Sequence, residues 1–307
     1  MNTFESATKP LMWSTALLLS AFVAGCGQQD PVLGLGGGGS GLGIGSSPVP
    51  LGPAAPFGMA STAGVTNTPT APNTTINGDA VLANPTPNCG GAPAPGGAGA
   101  AGFGLCGGNA PAINGTVVTP TFPDATTANN VKAAMNAAFL AITPPAGPPA
   151  AGSLGGATNI PAGTTLGAPT GSPLVQGDNL FFPGVYQSLT SILITGDLTL
   201  DAQGNSGASF IFQSSSTVGM ATNARILLVN GAKASNVFWQ AASSATLGTN
   251  SIFQGNILAA ADITMITGAT SCGRLWAGAW VGGSGAFVFD SNVVSVPGNA
   301  SAPPACQ

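Results

Sequence analysis

The sequence predicts a mainly β chain wound as a β-solenoid of triangular section, with one α-helix lying along it. Three observations carry this expectation. Between Gly184 and Val296, short β-compatible runs follow one another with no helical stretch among them. Similar pieces return: Phe210-Ile211-Phe212-Gln213 is echoed by Val237-Phe238-Trp239-Gln240, and each is followed by a Ser/Thr stretch and another apolar run. The Asn-Gly and Asp-Gly turns that join antiparallel partners in a β-sandwich are sparse there.

Composition narrows the function classes. The 307 residues include 5 Lys and Arg, 9 Asp and Glu and no His, for a net charge of −4. No basic stripe exists to neutralise a phosphate backbone, so nucleic acid is excluded as a partner. Zinc sites and imidazole catalysis lose their commonest ligand and base, and no Cys-x-x-Cys spacing is present. No metal or other cofactor is expected. With 47 Gly and 26 Pro against 44% hydrophobic residues, the composition fits a globular core with flexible appendages.

The elements follow in order. Residues 1–25 read as a signal peptide: Lys9 precedes an apolar run from Leu11 to Ala24 that suits an h-region and is too short to span a bilayer. Phe22-Val23-Ala24-Gly25-Cys26 resembles the lipobox of bacterial lipoproteins, which makes Cys26 the expected lipidation site and places the chain on the outer membrane or cell surface of a bacterium. Residues 26–55, with Gly36-Gly37-Gly38-Gly39, form a Gly/Pro-rich tether. The remaining four cysteines are an even number for an oxidising compartment, and proximity favours Cys89 with Cys106 and Cys272 with Cys306 among three possible pairings.

The expected solenoid domain spans residues 56–298, with a Cys-bounded cap insertion at 88–112 and a tail at 299–307. Phe57 to Leu82 supplies strands and turns rich in Thr and Val. The spacing of Val131, Met135, Ala138, Phe139 and Ile142 predicts a helix over 126–143, with Thr126 or Thr127 as N-cap and Pro144-Pro145 as the stop. Strands are then predicted at Ile192–Ile194, Leu198–Leu200, Phe210–Gln213, Ile226–Val229, Val237–Gln240, Ser251–Gln254, Ile257–Ala260, Ile263–Ile266, Phe287–Phe289 and Val293–Val296.

A family resemblance enters on long, ordered motifs. Leu198-Thr199-Leu200-Asp201-Ala202-Gln203-Gly204, Ser209-Phe210-Ile211-Phe212-Gln213, Val237-Phe238-Trp239-Gln240 and Ala245-Thr246-Leu247-Gly248-Thr249-Asn250-Ser251 are similar to the DUF3494 ice-binding-like family. Phe181-Phe182-Pro183-Gly184-Val185-Tyr186, Phe253-Gln254-Gly255-Asn256-Ile257-Leu258-Ala259, Val65-Thr66-Asn67-Thr68 and Ile76-Asn77-Gly78-Asp79 add to it, so the resemblance covers about Phe57 to Val296. It implies a discontinuous right-handed β-helix with a helix alongside, and ice or ordered water as the partner of one flat face. Cys272-Gly273-Arg274 departs from a commoner Asn-Gly-Arg-like turn.

The strand after each Phe/Trp-Gln strand is the candidate ice-binding face. If Val218, Met220, Ala245 and Leu247 point inward, Thr217, Gly219, Ala221, Ser244, Thr246 and Gly248 point out. Thr222, Thr249, Thr264, Thr267 and Thr270 complete the expected set, an uncharged face of small residues. Thr is also favoured in any strand, so a structural or adhesive surface solenoid, with cell-surface polysaccharide as its partner, is the competing expectation. An enzyme is not expected: Asp197 and Asp201 stand in turn-like contexts where Asp caps backbone groups, and no Gly-x-Ser-x-Gly elbow or phosphate loop occurs.

Overall fold

The computed structural model describes residues 49–68, 71–82, 110–118, 125–302 and 306. The expected signal peptide, Cys26, most of the tether and the Cys89–Cys106 pair lie outside the described residues. The N-terminal coil is β1 (Phe57–Ser61), β2 (Gly64–Asn67) and β3 (Thr75–Asn77), followed by β4 (Asp79–Leu82), β5 (Ala112–Ile113), β6 (Val117–Val118) and the helix α1 (Ala125–Ile142). Six coils of three strands come next. They are β7 (Thr158–Ile160), β8 (Thr165–Leu166), β9 (Leu180–Phe181); β10 (Gly184–Ser188), β11 (Ile192–Ile194), β12 (Asp197–Asp201); and β13 (Phe210–Ser214), β14 (Val218–Met220), β15 (Arg225–Val229). The last three are β16 (Val237–Ala241), β17 (Ala245–Leu247), β18 (Ile252–Gln254); β19 (Asn256–Ala259), β20 (Ile263–Met265), β21 (Thr270–Cys272); and β22 (Leu275–Ala277), β23 (Ala286–Phe289), β24 (Val293–Ser295).

Each coil contributes one strand to each of three parallel sheets. The first sheet runs β6-β4-β1-β22-β19-β16-β13-β10-β7, the second β2-β23-β20-β17-β14-β11-β8, and the third β5-β3-β24-β21-β18-β15-β12-β9. The order is discontinuous: β1, β2 and β3 stack on β22, β23 and β24, the last coil of the chain. The sequence echo is register, since Phe210, Ile211, Phe212 and Gln213 pair with Val237, Phe238, Trp239 and Gln240.

The core is the inside of this prism. Inward positions carry Ile194, Leu198, Phe212, Val218, Trp239, Leu247, Phe253, Met265 and Phe287, all buried. Along the first sheet's inner face three rings stack, Tyr186 on Phe212 at 5.3 Å and Phe212 on Trp239 at 4.1 Å between centroids.

Helix α1 covers the outer side of the first sheet. Its stripe, Val131, Met135, Ala138, Phe139 and Ile142, packs on Val81, Val185, Ile211, Phe238, Leu258 and Trp276. The helix begins one residue earlier than expected, so Thr126 and Thr127 lie within its first turn and are not its N-cap. It ends at Ile142, where Gln213 Nε2 donates to the free Ile142 carbonyl at 2.9 Å. Eighteen helical residues rise about 27 Å. The strands it connects, β6 and β7, are the two ends of the nine-stranded first sheet, eight steps of about 4.8 Å apart, so the helix covers most of the chain's return along the stack.

Corners set the coil lengths. Where the third sheet turns into the first, the later coils use one glycine: Gly255 has φ 116° and Gly273 φ 146°. A Cβ on Gly273 would stand 1.7 Å from the Gly255 carbonyl oxygen, so only glycine allows this stacking. The Cys-Gly-Arg departure therefore keeps the glycine and alters its neighbours. Cys272 is disulfide-bonded to Cys306, which holds the tail over the third sheet. Arg274 is half-buried and its side chain donates to neutral oxygens: Nε to the Ala55 carbonyl at 2.5 Å and Nη1 to Asn256 Oδ1 at 3.2 Å, while desolvation pushes its pKa down to about 10.

Candidate functional site

The outer faces of the three sheets differ in what lies on them. The first is under α1. The third is partly overlaid: the tail places Cys306 Sγ 3.3 Å from the Ser295 carbonyl. On the second sheet, by contrast, Thr165, Leu193, Thr246 and Val288 are exposed in the middle of the strands, and Thr66, Gly219 and Thr264 are half-buried.

These residues form one column. Pairing runs Thr165, Leu193, Gly219, Thr246, Thr264, Val288 and Thr66 in unbroken register across all seven strands. Adjacent members stand about 4.8 Å apart, and neighbouring columns about 6.6 Å. On one side of it lie Ser191, Thr217, Ser244 and Asp262, with Thr217 Oγ1 donating to Ser191 Oγ at 2.8 Å. On the other side lie Thr195, Ala221, Ile266 and Asp290. Val218, Met220, Ala245 and Leu247 all point into the core, which puts Thr217, Gly219, Ala221, Ser244 and Thr246 on the outer side.

Several expected positions fall elsewhere. Thr270 belongs to β21 of the third sheet, between Ile252 and Val293, because the chain has already turned the corner. Thr222, Thr249 and Thr267 occupy that corner, each followed by a left-handed residue: Asn223 (φ 61°), Asn250 (φ 55°) and Gly268 (φ 73°). Gly248 faces along the stack, since a Cβ there would meet the Met220 carbonyl oxygen at 2.6 Å. In the β20 rank, Thr264 pairs with Thr246, so Asp262 and not Thr264 takes the place next to Ser244.

The face is not free of charge. Asp262 is exposed at its margin, where Oδ1 accepts from Ala286 N at 2.8 Å. Asp290 lies across the ranks: Oδ1 accepts from Thr68 Oγ1 at 2.6 Å and Oδ2 from Thr267 Oγ1. Thr165, Leu193, Val288 and Thr66, absent from the sequence expectation, belong to the same column. Their signal was the alternation in Ile192-Leu193-Ile194 and Gly64-Val65-Thr66-Asn67, which matches Val218-Gly219-Met220.

Other acidic groups serve the backbone. Asp201 Oδ1 accepts from Gln203 N at 2.7 Å and Asp79 Oδ1 from Thr116 N at 2.7 Å. Asp197, expected to cap backbone groups, stands instead at the start of β12 with its carboxylate paired to Arg225 at 2.6 Å. Among the described residues, no group of three or more His, Cys, Asp or Glu gathers in metal-binding geometry.

Comparison with known families agrees with this architecture: the model described as ice-binding-like matches residues 59–282. The chain belongs to the ice-binding-like family. An ice-binding protein of Nostoc sp. (strain HG1) is 48% identical over 114 residues, which are 37% of this chain and 40% of that protein. An ice-binding protein of Flavobacterium frigoris (strain PS1) is 36% identical over 121 residues, 39% of this chain and 41% of that protein. The matched stretch thus spans about two fifths of the length of these curated relatives. Among solved structures, the ice-binding protein of the Antarctic ascomycete Antarctomyces psychrotrophicus superposes with a TM-score of 0.60 at 31% identity, covering 80% of this chain and 97% of that one. This member of the ice-binding-like family therefore shares its discontinuous β-helix with solved ice-binding proteins.

Proposed function

We propose that the chain binds ice through the outer face of its second sheet. The observation that carries this reading is the unbroken Thr165-to-Thr66 column on the one sheet that, among the described residues, neither the helix nor the tail overlies. Thr presents a methyl and a hydroxyl in few rotamers, and a rigid row of them holds water in fixed positions at low entropic cost. Lys or Glu would impose hydration shells of their own, and neither occurs in this column. The relatives named above are ice-binding proteins, which agrees with the reading.

The test is thermal hysteresis and ice-crystal shaping by a soluble chain from Val49 onward, which keeps the residues packed on α1 and the Ala55 carbonyl. The wild-type domain should shape ice; Thr246→Tyr should remove most of the hysteresis by lifting the face off the lattice, with an unchanged circular dichroism spectrum. Gln254→Tyr, on the third sheet, should keep it. A folded but inactive wild-type domain would overturn the reading in favour of an adhesive or structural surface protein.

The lipobox at Cys26 and the Gly/Pro-rich tether support attachment of this domain to a bacterial membrane. Val49 is buried with α1 on the outer side of the first sheet. Incorporation of radiolabelled fatty acid should be lost in Cys26→Ser; a wild-type protein that takes up no label and fractionates as soluble would exclude the anchor.

A further inference from the structure

The aromatic stack inside the first sheet stops one rank before the end of the solenoid. Trp239, Phe212 and Tyr186 occupy successive inward positions, and the register places Thr158 of β7 next in line. Thr158 does not fill the space of a ring. A cavity of about 290 Å³ lies there, lined by Thr158, Asn159, Ile160, Gln176, Phe181 and Tyr186.

Tyr186 is fixed on its other sides. Phe212 stacks on it at 20° between planes, Phe181 meets it edge-on at 4.8 Å, and its hydroxyl donates to the Phe182 carbonyl at 2.8 Å. The aromatic floor is therefore rigid before any ligand arrives. The walls are polar without charge: Thr158, Asn159 and Gln176 are exposed, and among the described residues their side chains make no hydrogen bond.

We propose that this cavity binds one neutral pyranose ring of a saccharide. A pyranose has a C–H face that lies against the negative face of an aromatic ring, and a rim of hydroxyls that both donate and accept, as amides and hydroxyls require. A charged ligand would lose hydration there with no counter-charge to offset it. An extended ice surface cannot enter a recess of this size, so the site stands independently of the ice-binding face.

The chain has a single tyrosine, and it lines the cavity, so biosynthetic 3-fluorotyrosine gives one fluorine resonance at the site. We would titrate the folded domain with maltose, cellobiose and diacetylchitobiose, and with adenosine as a flat aromatic comparison. At least one disaccharide should give a saturable shift, which Thr158→Trp abolishes by supplying the missing ring. The double variant Asn159→Ala/Gln176→Ala changes exposed side chains and should weaken binding several-fold even if Thr158→Trp fails to fold. No saturable shift with any of the three sugars, saturation by adenosine alone, a shift that survives Thr158→Trp, or unchanged affinity in the double variant would each overturn the proposal. Ice shaping by the same double variant should be unaffected, which separates this site from the flat face.

Discussion

Tyr186 and Asp197 are individual residues whose titration reports their surroundings. Burial raises the Tyr186 phenol above its ordinary 10, and the hydrogen bond to Phe182 only partly offsets this. A raised folded-state value means the contribution is fully present below pH 10 and is lost as pH rises through the folded value. Because the chain has one tyrosine, an alkaline absorbance titration should show a single step displaced upward, and a step at the free-tyrosine value would contradict the packing. Asp197 moves the other way: its hydrogen bonds from Arg225 hold it below the usual carboxylate range. Its contribution is present above about pH 4 and disappears as pH falls through the folded value. Arg225 is partly exposed to solvent, so Asp197→Asn should lower Tm by only about 1–3 °C at pH 7, and the difference should shrink as pH falls through the folded value. On the flat face, Thr246, Gly219 and Thr217 were legible from alternation alone. Thr270 was not, because nothing in Thr264-Met265-Ile266-Thr267-Gly268-Ala269-Thr270 marks where a strand becomes a corner; that is decided by stacking on Asn250 and Ile252.

Among the elements, those with one buried side were easiest to read. The α1 stripe follows helical spacing because only that side meets the first sheet, and removing its central ring in Phe139→Ala should cost about 3–5 kcal/mol in denaturant unfolding. By contrast, β22 was missed as a strand. Leu275 and Ala277 face the core while Trp276 lies under the helix, so both sides are apolar and no alternation remains. The edge strands β7 and β8 were missed for another reason: they are short and lie among Gly and Pro, which suits the end of a sheet and hides it. The tail is held by one covalent link closing a 34-residue separation. Cys306→Ser should therefore reduce stability by about 3 kcal/mol, read as a shift in the urea midpoint, while ice shaping persists because the second sheet is not involved.

At the scale of the whole molecule, the stacking order required more than periodicity. The N-terminal pieces have strand-like composition, but their place beside the last coil depends on side chains far apart in sequence. Ser61 Oγ donates to Gly285 O at 2.9 Å, Gly285 N donates to Thr62 Oγ1 at 2.8 Å, and Asn292 N donates to Thr74 Oγ1 at 3.1 Å. Asn77 Nδ2 donates to Ser295 Oγ at 3.0 Å, and the Thr68–Asp290 contact adds a charged bond. The join between first and last coils is thus fastened at all three corners. Its partners are 218 to 224 positions apart, and the order of synthesis follows from that separation. β1 and β3 can pair early with β4 and β5, but their other edges, and β2, must wait for nearly the last strands of the solenoid, and such long loops close slowly. Until then their edges are open, and the nascent chain has an unfinished end that a chaperone or a second chain could occupy.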